Sequence, residues 1–102
     1  MRAEAQALVD RIDAALDLLR RFLDWDRALR RLDELNARVE DQALWNDPKA
    51  AQAVMRERRR LDEAITATRA IESELNDTVE LLEMAEAEGD AGMADDATQS
   101  LA

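Results

Sequence analysis

The densest basic run in this 102-residue chain is Arg56-Glu57-Arg58-Arg59-Arg60, and the chemistry it suits is the binding of phosphate. Cations in such a run neutralise the charge of a nucleic-acid backbone and release its counterions. Arg56, Arg59 and Arg60 are therefore the candidates for contact with RNA, with Lys49 and Arg20, Arg21, Arg27, Arg30 and Arg31 as further contributors. The plain alternative is a solvated helix face, because Glu57, Asp62 and Glu63 stand close enough in sequence to pair with these arginines. Arg58 falls on the apolar register of its segment, so its stem should lie along a seam with its head in water.

Other chemistry has little to work with. The chain contains no Cys and no His, which removes thiol nucleophiles, disulfides, thiolate zinc sites and the usual neutral-pH proton shuttle. Its carboxylates are abundant but helix-borne, with no histidine or glycine-rich loop beside them, and pairs such as Asp95-Asp96 do not make a metal site. A non-enzymatic chain without catalytic residues, metal or cofactor is expected. Trp25 and Trp45 could stack on a ligand, but tryptophans at the turn edges of helical hairpins more commonly plug the end of a core. Asn36 reads as a register-setting polar residue in a seam rather than a catalytic amide.

The elements that carry these residues are helical. With 2 Gly, 1 Pro and 37% charged residues, the composition favours helix over sheet. Val9, Ile12, Leu16, Leu19 and Leu23 step by three and four, predicting a helix over about 2–22. Trp25, Leu29, Leu32, Asn36 and Val39 form a second stripe over 25–40. The step of two from Leu23 to Trp25 predicts a bend there, with Asp24 or Asp26 as the cap. Leu44-Trp45-Asn46-Asp47-Pro48 then marks a turn and a helix start. The Asp47 carboxylate can accept orphan N–H groups, and Pro48 fits the first helical position. Trp45, Asp47 and Pro48 are thus candidate structural turn residues.

From Pro48 to Glu88 no Gly or Pro interrupts the chain, so one helix of roughly 60 Å is predicted. Its apolar line runs Val54, Leu61, Ile65, Thr68, Ile71, Leu75, Val79 and Leu82. The expected fold is all-α, an antiparallel helical hairpin or three-helix bundle with two shorter helices packed on one long helix, forming a domain over 1–88. Gly89 suits a left-handed helix end. Residues 89–102 have weak periodicity and read as an acidic tail or as the start of a truncated further helix, the second being favoured. If that helix is cut short, apolar surface near Leu75, Val79 and Leu82 stays open and self-association of the fragment is expected.

Charge is distributed unevenly. Up to Arg69 lie all 14 basic residues and 14 of the 24 acidic ones, and beyond it come ten acids and no Lys or Arg. Nucleic acid should avoid that acidic end. No signal peptide is evident, no run is apolar enough to span a membrane, and a cytoplasmic setting is expected.

A family resemblance rests on accumulated pattern. Leu23-Asp24-Trp25-Asp26, then Arg31-Leu32-Asp33-Glu34-Leu35-Asn36-Ala37, then Leu44-Trp45-Asn46-Asp47-Pro48 with Ala50-Ala51-Gln52 and Glu57-Arg58 resemble the N-terminal domain of the bacterial peptide chain release factor 2 family. The likeness runs from about Leu19 through Glu88 into the acidic tail. Its Trp-Asn-Asp-Pro and Leu-Asp-aromatic-Asp elements set it apart from the sibling factor 1 family. The resemblance implies a ribosome-interacting domain in translation termination at UGA and UAA stop codons. It also implies partners near the ribosomal stalk base: the stalk-base protein, nearby ribosomal RNA and the class II release-factor GTPase. The family's Ser-Pro-Phe and Gly-Gly-Gln tripeptides, which read the codon and promote hydrolysis, do not occur here. The alternative reading is a coiled-coil adaptor or dimerisation module that binds another protein.

Overall fold

A computed structural model describes residues 2–102, and every regular element in it is helical. In chain order these are α1 (Ala3–Leu23), α2 (Trp25–Glu40), a 3-10 turn (Gln42–Asn46), α3 (Pro48–Glu88) and α4 (Ala91–Leu101). The all-α class follows from the composition. No helix of the described residues is long and apolar enough to cross a membrane.

Contacts divide the chain into two compact units, one built from residues up to Leu19 with Arg69–Ala102, the other from Arg20–Thr68. The continuous helix α3 contributes one half to each. The sequence reading grouped 1–88 and set 89–102 apart, whereas the contacts place α4 with α1 and the second half of α3.

In the Arg20–Thr68 unit, α2 and the first half of α3 form an antiparallel hairpin around Leu35, Leu44, Ala51 and Val54, with Val39, Ala50 and Leu61 against them. Leu35 is fully buried, at 0% exposure. Asn36 is not in this seam. It is exposed, and its Oδ1 accepts a 2.6 Å hydrogen bond from Arg58 Nε at the seam's rim. The buried line of α2 passes through Ala28 and Leu35, one position from the expected stripe, because Ala28 carries no bulk to announce it.

The bend between α1 and α2 is a single residue. Asp24 adopts the left-handed conformation at φ 50° and ψ 67°, and its side chain makes no capping bond. Its N–H donates to Arg21 O at 3.1 Å and its carbonyl accepts from Ala28 N at 2.8 Å, so backbone alone ends one helix and starts the next. The carboxylate cap expected of Asp24 is therefore replaced by a backbone device, and Asp26 sits in the first turn of α2 instead.

In the other unit the core holds Ala5, Val9 and Leu16 of α1, Leu75 and Leu82 of α3, and Ala97 and Leu101 of α4. Ile71, expected on the buried line, is exposed instead. α3 ends at Gly89 (φ 68°), where Gly89 N donates to Glu86 O and Asp90 N to Ala85 O, the paired bonds of a Schellman cap. Asp90 at once caps α4, accepting from Met93 N at 2.9 Å. Residues 91–101 are thus a folded helix and not an acidic tail. They bury Ala94, Ala97, Thr98 and Leu101, a stripe of mostly small residues whose periodicity hydropathy reads poorly. The expected opening at Leu75, Val79 and Leu82 is closed: Leu82 keeps 1% exposure, and the ground for self-association through that stripe is gone.

Candidate nucleic-acid interface

The turn between α2 and α3 is assembled from side-chain and backbone caps. Asp41 Oδ1 accepts from Ala43 N at 3.0 Å, fixing the 3-10 turn, and Asp47 Oδ1 accepts from Ala50 N at 3.2 Å, fixing the start of α3. Pro48 occupies the first position of α3, where its missing N–H leaves nothing unpaired. Leu44 plugs the end of the core, and Trp45 does not: the residue is 53% exposed. Its Nε1–H donates to Val39 O at 3.0 Å, so the ring is tied across the turn while much of it stays in solvent.

Arg56, Arg59 and Arg60 are all exposed on the first half of α3. Arg56 and Arg59, one turn apart, line a hollow of about 260 Å³ with Trp45, Ala51, Gln52 and Met55. Among the described residues neither arginine makes a hydrogen bond or an ion pair. Arg60 does not line this hollow and instead adds its positive charge to the surroundings of Glu57. The structure thus joins two of the three arginines to Trp45 and leaves the third on another face.

Of the three carboxylates expected to pair with the basic run, Glu57, Asp62 and Glu63, the first is engaged by α2. Arg31 Nε donates to Glu57 Oε1 and Oε2 at 3.1 and 2.9 Å, and Arg31 Nη1 reaches Glu34 Oε2 at 3.1 Å. The hydrogen bond from Arg31 holds the Glu57 carboxyl below its ordinary range, and the bonds to Glu57 and Glu34 raise the already high pKa of Arg31. Arg31 is therefore consumed in an ion pair and drops out of the candidate phosphate contacts. Arg58 is half-buried and donates through Nε to Asn36 Oδ1.

Charge follows the same division as the contacts. Residues 20–68 carry eleven Lys and Arg against ten Asp and Glu, while the remaining residues carry three against fourteen. The arginine face belongs to the near-neutral unit. Sequence reasoning missed Gln52 and Met55 as its lining, although both stand one helical turn before Arg56 or Arg59. It also missed the Arg31–Glu57 pair, whose signal was positional: the two residues are equidistant from Leu44 at the tip of the hairpin.

A profile of the PCRF domain matches residues 28–102. The chain is 54% identical over 101 residues to a protein of Paramagnetospirillum magneticum named peptide chain release factor 2, covering 99% of this chain and 27% of the relative. A protein of the same name from Ruegeria is 48% identical over 101 residues, again 99% of this chain and 27% of the relative. One from Caulobacter vibrioides is 53% identical over 78 residues, 76% of this chain and 21% of the relative. The chain spans about a quarter of the length of these curated relatives.

Proposed function

The chain belongs to the PCRF domain family, and from that premise we propose that it is the N-terminal, ribosome-interacting domain of a class I peptide chain release factor that acts in translation termination at UGA and UAA. The observation that carries this reading is identity of about half of all positions, sustained along nearly the whole chain, to proteins named peptide chain release factor 2. In this reading the domain positions the factor and performs no chemistry. Codon reading and peptidyl-tRNA hydrolysis belong to Ser-Pro-Phe and Gly-Gly-Gln segments outside these 102 residues. Its partners are the ribosomal stalk-base protein, nearby ribosomal RNA and the class II release-factor GTPase, and its compartment is the cytoplasm.

Within this role Arg56, Arg59 and Arg60 supply phosphate contacts. Arg56 and Arg59 are exposed and unengaged, so they meet RNA without first breaking an internal pair. The adaptor alternative relied on an open apolar stripe, and Leu75 and Leu82 are buried. The test is ribosome binding by the full-length gene product with Arg56, Arg59 and Arg60 changed together to Glu. Binding should weaken, and its dependence on salt should become shallower as phosphate contacts are lost. Unchanged binding across salt concentrations rejects the arginine role, and a gene encoding no Gly-Gly-Gln or Ser-Pro-Phe rejects the release-factor reading itself.

A further inference from the structure

We propose that the hollow beside Trp45 receives one unpaired RNA base stacked on the indole, with the adjoining phosphates held by Arg56 and Arg59. The ring is preset for this. Its Nε1–H is committed to Val39 O at 3.0 Å, which limits ring rotation, yet 53% of the residue remains exposed. A large aromatic surface held in water by a hydrogen bond costs little further ordering when a second ring covers it.

The lining selects the occupant. Ala51 and Met55 give apolar contact, Gln52 brings an amide able to pair with a base edge, and Arg56 and Arg59 bring two cations. Among the described residues no carboxylate lines the hollow, in a chain whose net charge is −10. Its volume of about 260 Å³ is below the roughly 300–1,000 Å³ of sites for drug-sized ligands, so it suits one ring system rather than a large ligand. An acidic peptide supplies anions without a flat ring beside each one. A nucleotide supplies both in a single repeating unit, and aromatic stacking next to arginine is a common arrangement for holding single strands. The RNA in this inference rests on the release-factor reading, while the stacking on Trp45 is additional to it.

The test measures binding of this 102-residue chain to a labelled octariboadenylate and to an abasic strand with the same backbone. Stacking requires the adenylate to bind at least about fivefold tighter than the abasic strand. Trp45→Ala should erase that preference, and Arg56→Gln with Arg59→Gln should flatten the salt dependence by about two phosphate contacts. Circular dichroism checks that Trp45→Ala keeps its helix content. Should that variant unfold, the two strands compared on the unaltered chain decide the question. Equal, salt-dependent affinity for both strands overturns stacking and leaves the arginine contact standing. Failure of both strands to bind at 50 mM salt overturns stacking and arginine contact alike, and displacement of the adenylate by an equal concentration of octaglutamate overturns RNA as the occupant.

Discussion

Arg31 on α2 shares its Nε–H between both carboxylate oxygens of Glu57 on α3, at 3.1 and 2.9 Å, across 26 residues of sequence. The bond is the reason the Glu57 carboxyl ionises below its ordinary range. A carboxyl whose folded pKa is depressed adds stability that is present above the unfolded value, about 4.3, and is lost as pH falls through the folded value. Arg31 stays charged throughout that window. Glu57→Gln should therefore be less stable than the parent at pH 7, with the gap closing as pH drops below about 4. Urea midpoints at pH 7 and pH 3 measure it. The side chains are 41% and 34% exposed, so the gap should also shrink in 1 M salt.

The two left-handed corners make opposite predictions. Asp24 holds φ 50° with an L side chain, so Asp24→Gly should raise stability by up to about 1 kcal/mol and Asp24→Val should lower it by more. Gly89 holds φ 68°, and a Cβ there would meet no atom within 4 Å. Gly89→Ala should thus cost about 1–2 kcal/mol from backbone strain alone. Replacing Gly89 with D-alanine by chemical synthesis should restore the loss. Thermal unfolding of the three variants and the synthetic chain checks both corners.

Asp47 and Asp90 open α3 and α4 by accepting from Ala50 N and Met93 N. Changing either to Ala leaves helix-start donors to water and should cost about 0.5–2 kcal/mol, whereas Asn keeps an acceptor and should cost less. Chemical denaturation of the four single variants ranks them. Equal losses for Asn and Ala would mean that the carboxylate charge, and not the hydrogen bond, supports the helix start.

Much of the fold was legible because helix punctuation in this chain is explicit. Pro48 after Asp47, and Gly89 at the end of a 41-residue run, mark the ends of α3. The stripe Val9, Ile12, Leu16 also lies where its spacing puts it, on the core side of α1. What escaped was carried by small residues and by pairing across the hairpin. α4 buries Ala94 and Ala97, whose size gives no hydropathy peak, so its register was unreadable. Of the candidate site, Arg56 and Arg59 stand out by their place in the basic run, but their neighbourhood with Trp45 depends on the 3-10 turn. Trp45 stands at the turn edge of a helical hairpin, a place from which tryptophans commonly plug the end of a core. The core end was filled by Leu44, and the indole N–H found its acceptor at the surface.

The register of α2 supplies a last test. Periodicity put Asn36 in the seam, while the packing puts Leu35 there at 0% exposure and leaves Asn36 at the rim with Arg58. The two registers predict different costs at adjacent positions. With Leu35 in the core, Leu35→Ala removes three heavy atoms' worth of packing and should cost about 2–5 kcal/mol, the upper part of that range if the hairpin cannot collapse around the void. Asn36→Ala removes one exposed hydrogen bond and should cost no more than about 1.5 kcal/mol. With Asn36 in the core the order would reverse, since a leucine at position 36 would then bury apolar surface and stabilise the hairpin. Asn36→Leu should instead cost about as much as Asn36→Ala, because its side chain would lie in water and the bond from Arg58 is lost as well. Urea unfolding of Leu35→Ala, Asn36→Ala and Asn36→Leu side by side therefore fixes the register without a further structure.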